Sequence, residues 1–173
     1  MWCGQIRSVV LCIVTLLSQQ ASADPLFDGS MLGTSEAELR ATFPNLRPAG
    51  KPAWGPHGLR GQWILTDTPL LGLPFETTFF MKDRQVQRIE QLWSSNENEC
   101  SKRISFSEIT SGMALKFGSD QISGNFTQNG VSHQSAVWMT NQIEVTVHYS
   151  ASASQCAARV VYQSQHVKDA SEL

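Results

Sequence analysis

The sequence predicts an α+β fold: an antiparallel sheet made from two helix-then-β-meander units, with both helices packed on one face. Three observations carry that expectation. Two segments repeat apolar residues at helical spacing, several runs alternate apolar and polar residues at strand spacing, and each helical segment precedes a group of strands. The 173-residue chain has room for one ordinary domain.

The first helix is expected to open at Ser35, because Glu38 three residues on completes a capping box. Leu39 and Phe43 then share a face, and Pro44 stops the helix. Residues 44–61 carry four prolines and four glycines, a composition that predicts an irregular loop. Residues 62–66 read as a short strand and residues 68–74 as an apolar loop. Phe75, Thr77, Phe79 and Met81 alternate against Glu76, Thr78 and Phe80, the pattern of a half-buried strand. After turn chemistry at Lys82-Asp83-Arg84-Gln85, a return strand is expected from Val86 to Trp93.

Residues 94–99 are polar and separate the halves. The second helix is expected to start near Cys100, with Phe106, Ile109, Met113 and Phe117 on one face and Gly118 as its cap. Residues 119–135 are rich in Gly and Asn, with Asn129-Gly130 as a turn. A hairpin follows, in which Ile143, Val145, Val147 and Tyr149 face one way. The last strand places Cys156, Ala158, Val160 and Tyr162 on one face. The expected organisation is therefore a leader at 1–23, one domain at 24–163 made of units 24–94 and 95–163, and a flexible tail at 164–173.

The leader reading rests on Arg7, an apolar run over residues 9–17 and the small-residue exit Ala21-Ser22-Ala23, the layout of a secretory signal peptide. That run falls well short of the ~20 residues needed to cross a bilayer. No second run approaches that length, so the mature chain is expected to lack a transmembrane segment and to be periplasmic or secreted. Cys3 and Cys12 leave with the leader. Cys100 and Cys156 remain, and in an oxidising compartment they are expected to form a disulfide.

The formal net charge of −2 supplies no basic surplus, which argues against nucleic acid as a partner. The sequence contains no H-E-x-x-H, nucleophile elbow, phosphate-binding loop or C-x-x-C. No catalytic residue, cofactor or metal site is therefore expected. The four histidines outside the leader, His57, His133, His148 and His166, lack metal-ligand spacing, and His148 is expected to face solvent. Large side chains on non-helical segments are the stronger signal, because tryptophan and arginine often anchor protein interfaces. Trp54, His57 and Arg60 in the Pro/Gly loop, with Phe80 on the polar face of its strand, are the expected partner-binding residues. Trp63, Trp93 and Trp138 are expected in the core.

The tandem plan is carried by Gly33-Thr34-Ser35-Glu36-Ala37-Glu38-Leu39 and the hairpin over residues 75–93. Its second unit is marked by Cys100, Phe106, Ile109, Met113, Phe117-Gly118, Trp138, Cys156 and Tyr162. This plan resembles small exported bacterial proteins of the beta-lactamase-inhibitor-protein-like and BamE-like kinds. The resemblance implies a non-catalytic protein that holds another protein on a concave sheet. BamE-like proteins are usually lipid-anchored, and this chain lacks the anchoring cysteine.

The expected function is a non-catalytic exported protein-binding module, an inhibitor or an envelope accessory factor, whose partner is another exported or envelope protein. One alternative is a small apolar ligand-binding protein with a pocket near Leu70, Leu71, Leu73 and Phe75. The other is a hydrolase whose carboxylates, Glu76 and Glu90 among them, meet only in the fold.

Overall fold

A computed structural model describes residues 28–97 and 104–165. The leader, Cys100, His166 and all but the start of the expected tail lie outside the described residues. In chain order the elements are α1 (Glu36–Thr42), β1 (Arg47–Trp54), β2 (Arg60–Leu70), β3 (Leu73–Lys82), β4 (Gln85–Ser95), α2 (Phe106–Phe117), β5 (Ile122–Gln128), β6 (Val131–Met139), β7 (Ile143–Ala151) and β8 (Cys156–Ser164).

Ser35 caps α1 as its sequence demands: its hydroxyl accepts from the Glu38 N–H at 3.3 Å, and the Glu38 carboxylate accepts from the Ser35 N–H at 2.9 Å. The same residue bridges to Gln85, and Gly33 and Thr34 exchange backbone hydrogen bonds with Val86, so α1 is anchored on the β3–β4 turn. A second capping box, Ser105 with Glu108, opens α2. The helix therefore starts at Phe106, later than its sequence pattern predicts. Gly118 ends it with φ 79°, a conformation that needs glycine.

The expected α+β pair of helix-plus-meander units is corrected here. The eight strands among the described residues form one antiparallel sheet in the order β1-β2-β3-β4-β8-β7-β6-β5. That sheet dominates the architecture. Its edges lie roughly 34 Å apart at ~4.8 Å per strand. The helices have seven and twelve residues, only ~10 and ~18 Å long at ~1.5 Å per residue. Neither is large enough to form a covering layer.

Two segments expected to be loops, and the Gly/Asn-rich residues 119–135, form strands, for two reasons. β1 carries Pro48 and Pro52 yet pairs with β2 at both ends, with a bulge between Pro48 and Ala53. It is an edge strand, where a missing N–H can face outward. Leu71 (φ 52°) and Gly72 (φ 76°) make a two-residue turn, so β2 and β3 run through the stretch expected to be an apolar loop. Asn129-Gly130 is likewise a two-residue turn, and the Gly/Asn-rich segment around it forms β5 and most of β6.

One face of the sheet is the core face. Phe75, Phe79, Met81, Ile89, Trp93, Val145, Val147, Val160 and Tyr162 cluster there with Leu39 of α1 and Ile109 and Met113 of α2. Trp138 is buried, and its indole N–H donates to the Gly118 carbonyl at 2.9 Å. The Tyr149 hydroxyl donates to the Ile104 carbonyl at 3.0 Å, joining β7 to the approach of α2. Trp93 is buried and Trp63 is partly buried against the same cluster. Cys156 is fully buried at the start of β8 and is disulfide-bonded.

Candidate functional site

The residues that alternate with the core set make up an outer face, and the strand registers order them into rows. One row crosses Leu92, Arg159, His148, Ser135 and Gly124, running from β4 through β8, β7 and β6 to β5. The next crosses Ser94, Ala157, Ser150, His133 and Phe126. Between them lies an open groove of about 340 Å³ lined by Leu92, Phe126, His133, His148, Ser150 and Arg159, among others.

The groove has apolar ends and a polar floor. Phe126 is 60% exposed, and its ring stacks on His133 with centroids 4.7 Å apart and planes 13° from parallel. Leu92 is also exposed. Among the described residues, Arg159 is the one formally charged side chain in the lining, which holds no carboxylate. Its side chain is 51% exposed and only loosely paired, with Nε 4.0 Å from Glu90. Burial depresses the His148 pKa below its ordinary 6.5, and repulsion from Arg159 and Arg88 adds to the effect against weaker support from Glu90. His148 is therefore held toward the neutral form.

Beside the groove the outer face is knit together. Arg88 grips Glu90 at 2.7 Å and donates to Gln163 at 2.6 Å, and Gln163 donates to Glu144 at 3.0 Å. Thr146 also donates to Glu144, at 3.2 Å. These bonds fix the side chains next to Arg159 and occupy the nearest carboxylates. Val161, surrounded by this network, is buried although it lies on the outer face.

The four residues expected to bind a partner lie toward the opposite end of the sheet, at β1, β2 and β3. Trp54 is 72% exposed. It pairs across strands with Arg60, whose guanidinium lies over its ring at 5.1 Å. His57 sits between them in a short 3₁₀ turn with a left-handed φ of 55°. Phe80 is placed otherwise. It is 3% exposed, because Gly55 and Gly61 bring the β1–β2 connection down over its ring. It supports the Trp54 arm from beneath and presents no contact surface.

Sequence reasoning did not bring Phe126, His133, Leu92 and Arg159 together as a site. The signal for Phe126 was available: an aromatic residue in a Gly/Asn-rich run with a two-residue turn after it belongs to a hairpin. The residues expected to line an apolar pocket, Leu70, Leu71, Leu73 and Phe75, are drawn largely into packing. Leu70 and Phe75 are core residues, and Leu71 packs against Gly112 of α2. A second hollow, about 400 Å³, lies between Phe43, Pro44 and the Leu65–Pro69 stretch.

Among the described residues no three His, Cys, Asp or Glu side chains converge as a metal-binding group. Also among the described residues, no helix is long and apolar enough to cross a membrane. Comparison with protein-family models, curated proteins and solved structures returns no match. The resemblance to inhibitor-protein-like and BamE-like families therefore rests on the sequence features alone.

Proposed function

We propose that the chain is a non-catalytic, exported protein-binding module, an inhibitor or an envelope accessory factor, that seats a protruding loop of another protein in the outer-face groove. The observation that carries this reading is the composition of the groove: two exposed apolar side chains, a half-exposed arginine and two imidazoles, with no carboxylate in the lining among the described residues. Arginine is among the side chains most enriched at the energetic centre of protein interfaces. The open shape suits a loop better than a small molecule, which binds in a more enclosed cavity. Electrostatics favours a loop carrying an aspartate or glutamate. The Trp54–Arg60 arm, at the other end of the sheet, offers a second contact.

The test uses the full mature chain, immobilised and exposed to envelope and secreted fractions, beside its Arg159→Glu and Trp54→Ala variants. Retained proteins are then purified and titrated directly. The expected result is a partner that binds the native chain and loses roughly tenfold or more in affinity to Arg159→Glu, the range of an interface anchor. A partner that binds Arg159→Glu as tightly as the native chain removes the groove from the account. Failure to retain any protein from either fraction removes the binding-module reading altogether.

A further inference from the structure

The two edges of the sheet differ. β1 is guarded in the ways edge strands usually are, with Pro48, Pro52, Lys51 and a bulge between its paired ends. β5 carries none of these devices. Its seven residues, Ile122-Ser123-Gly124-Asn125-Phe126-Thr127-Gln128, include no proline and no charge, and every one is exposed. Among the described residues its strand neighbour on one side is β6, and the sheet ends on the other.

The direction of its unpaired backbone groups follows from the turn. Asn129 (φ 50°) and Gly130 (φ 76°) are both left-handed, as in a two-residue type I′ turn. The residues flanking such a turn, Gln128 and Val131, form a hydrogen-bonded pair, and bonded pairs then recur at every second residue. Phe126, Gly124 and Ile122 thus spend their backbone groups on β6. Ser123, Asn125 and Thr127 direct theirs to the free edge.

From this arrangement we infer that β5 is a strand-addition site and that its occupant is β5 of a second copy of this chain. The segment is complementary to itself about Asn125. An antiparallel pairing with the two-fold axis at that residue sets Asn125 opposite Asn125 of the second copy and Ser123 opposite its Thr127. All the outward N–H and C=O groups are then bonded reciprocally, in six hydrogen bonds by this count of roughly two per bonded pair. The same register sets each Phe126 across from Gly124 of the other copy in a non-bonded pair, where side chains approach most closely. An aromatic ring covering a glycine is a recognised stabilising device in sheets. No charges meet, since β5 has none. The two outer faces join edge to edge at Phe126, so the two grooves lie side by side across the seam.

Pairing one strand edge buries little area, so this dimer belongs to the weak class and dissociates on dilution. Sedimentation velocity on the full mature chain, from low micromolar to near-millimolar concentration, should show a reversible monomer–dimer equilibrium. Asn125→Pro removes an outward N–H without touching the β5–β6 bonds. Because of the two-fold axis it deletes two hydrogen bonds, and it should weaken dimerisation about thirtyfold. Asn125→Lys sets like charges face to face and should weaken it similarly, which guards against a folding defect peculiar to proline. Asn125→Cys should cross-link to itself on mild oxidation, since bonded antiparallel Cα atoms lie ~5.5 Å apart, within disulfide range. Ser123→Cys should not. A chain that stays monomeric throughout, a dimer indifferent to both Asn125→Pro and Asn125→Lys, or equal cross-linking of the two cysteine variants overturns the inference. So does a monomer that pairs only with strands of other proteins.

Discussion

His148 stands directly opposite Arg159 on the neighbouring strand, so protonating the imidazole sets two cations face to face on the outer sheet surface. Burial and the two nearby guanidinium groups together hold the His148 pKa below 6.5. Between that depressed value and 6.5 the unfolded chain binds more protons than the native one. His148 therefore contributes stability in full above pH 6.5, and the contribution falls as pH drops through 6.5 toward the native pKa. Arg159→Ala should move the His148 pKa upward in an NMR titration. It should also flatten the loss of Tm between pH 7.5 and pH 5.5. An unchanged titration curve in the variant would show that Arg159 does not act on the imidazole.

Phe80 and Trp54 should separate cleanly in stability. Truncating a buried aromatic costs about 3–5 kcal/mol, and Phe80 is covered by the β1–β2 connection. Trp54→Ala loses only a surface cation–π contact with Arg60, worth about 0.5–1 kcal/mol. Urea titrations of Phe80→Ala and Trp54→Ala measure both. Similar losses in the two variants would mean that Trp54 is packed more tightly than its 72% exposure allows.

The cap of α2 should be pH-sensitive. Hydrogen bonds from Ser105 depress the Glu108 carboxyl below its ordinary 4.5. The stability they contribute is present above pH 4.5 and is lost as pH falls through the native pKa. Ser105→Ala should cost about 1 kcal/mol at neutral pH, and the gap to the native chain should narrow by pH 3. Chemical unfolding at the two pH values provides the comparison. A gap that is as wide in acid as at neutrality contradicts the Ser105–Glu108 coupling.

Cys156 is disulfide-bonded, and in the mature chain Cys100 is the expected partner. Peptide mapping of unreduced protein should recover the two cysteines in one cross-linked fragment, with no free thiol after denaturation. Cys156→Ser should destabilise by about 2–5 kcal/mol. A free thiol in the unreduced, denatured chain would count against the pairing.

Local chemistry was legible in the sequence wherever it was self-contained. Ser35 and Glu38 name their own capping box, and Ile143, Val145, Val147 and Tyr149 name their own strand face. The β1 segment was not legible, because its prolines forbid a central strand yet suit an edge, and edge position is decided only when the sheet assembles. β5 escaped for a related reason: with Ser, Gly, Asn, Thr and Gln at five of its seven positions, it has no apolar period to read. The groove was invisible because its residues come from five strands and meet only through register. Trp54 and Arg60 were legible as members of one Pro/Gly-rich segment, but their stacking across a short turn depends on the β1–β2 pairing. Phe80 was misread because its position on the polar face of β3 does not reveal that two glycines let the chain fold back over it.

The sheet order places β8 at its centre, between β4 and β7. The strand that joins the two four-stranded halves is thus the last of the described strands to emerge during synthesis. Until it arrives, the earlier half presents β4, and the later half β7, as an unfinished border rich in unspent amide groups. Both are invitations to mispairing. Folding that waits for the completed chain keeps those borders from meeting the wrong neighbour.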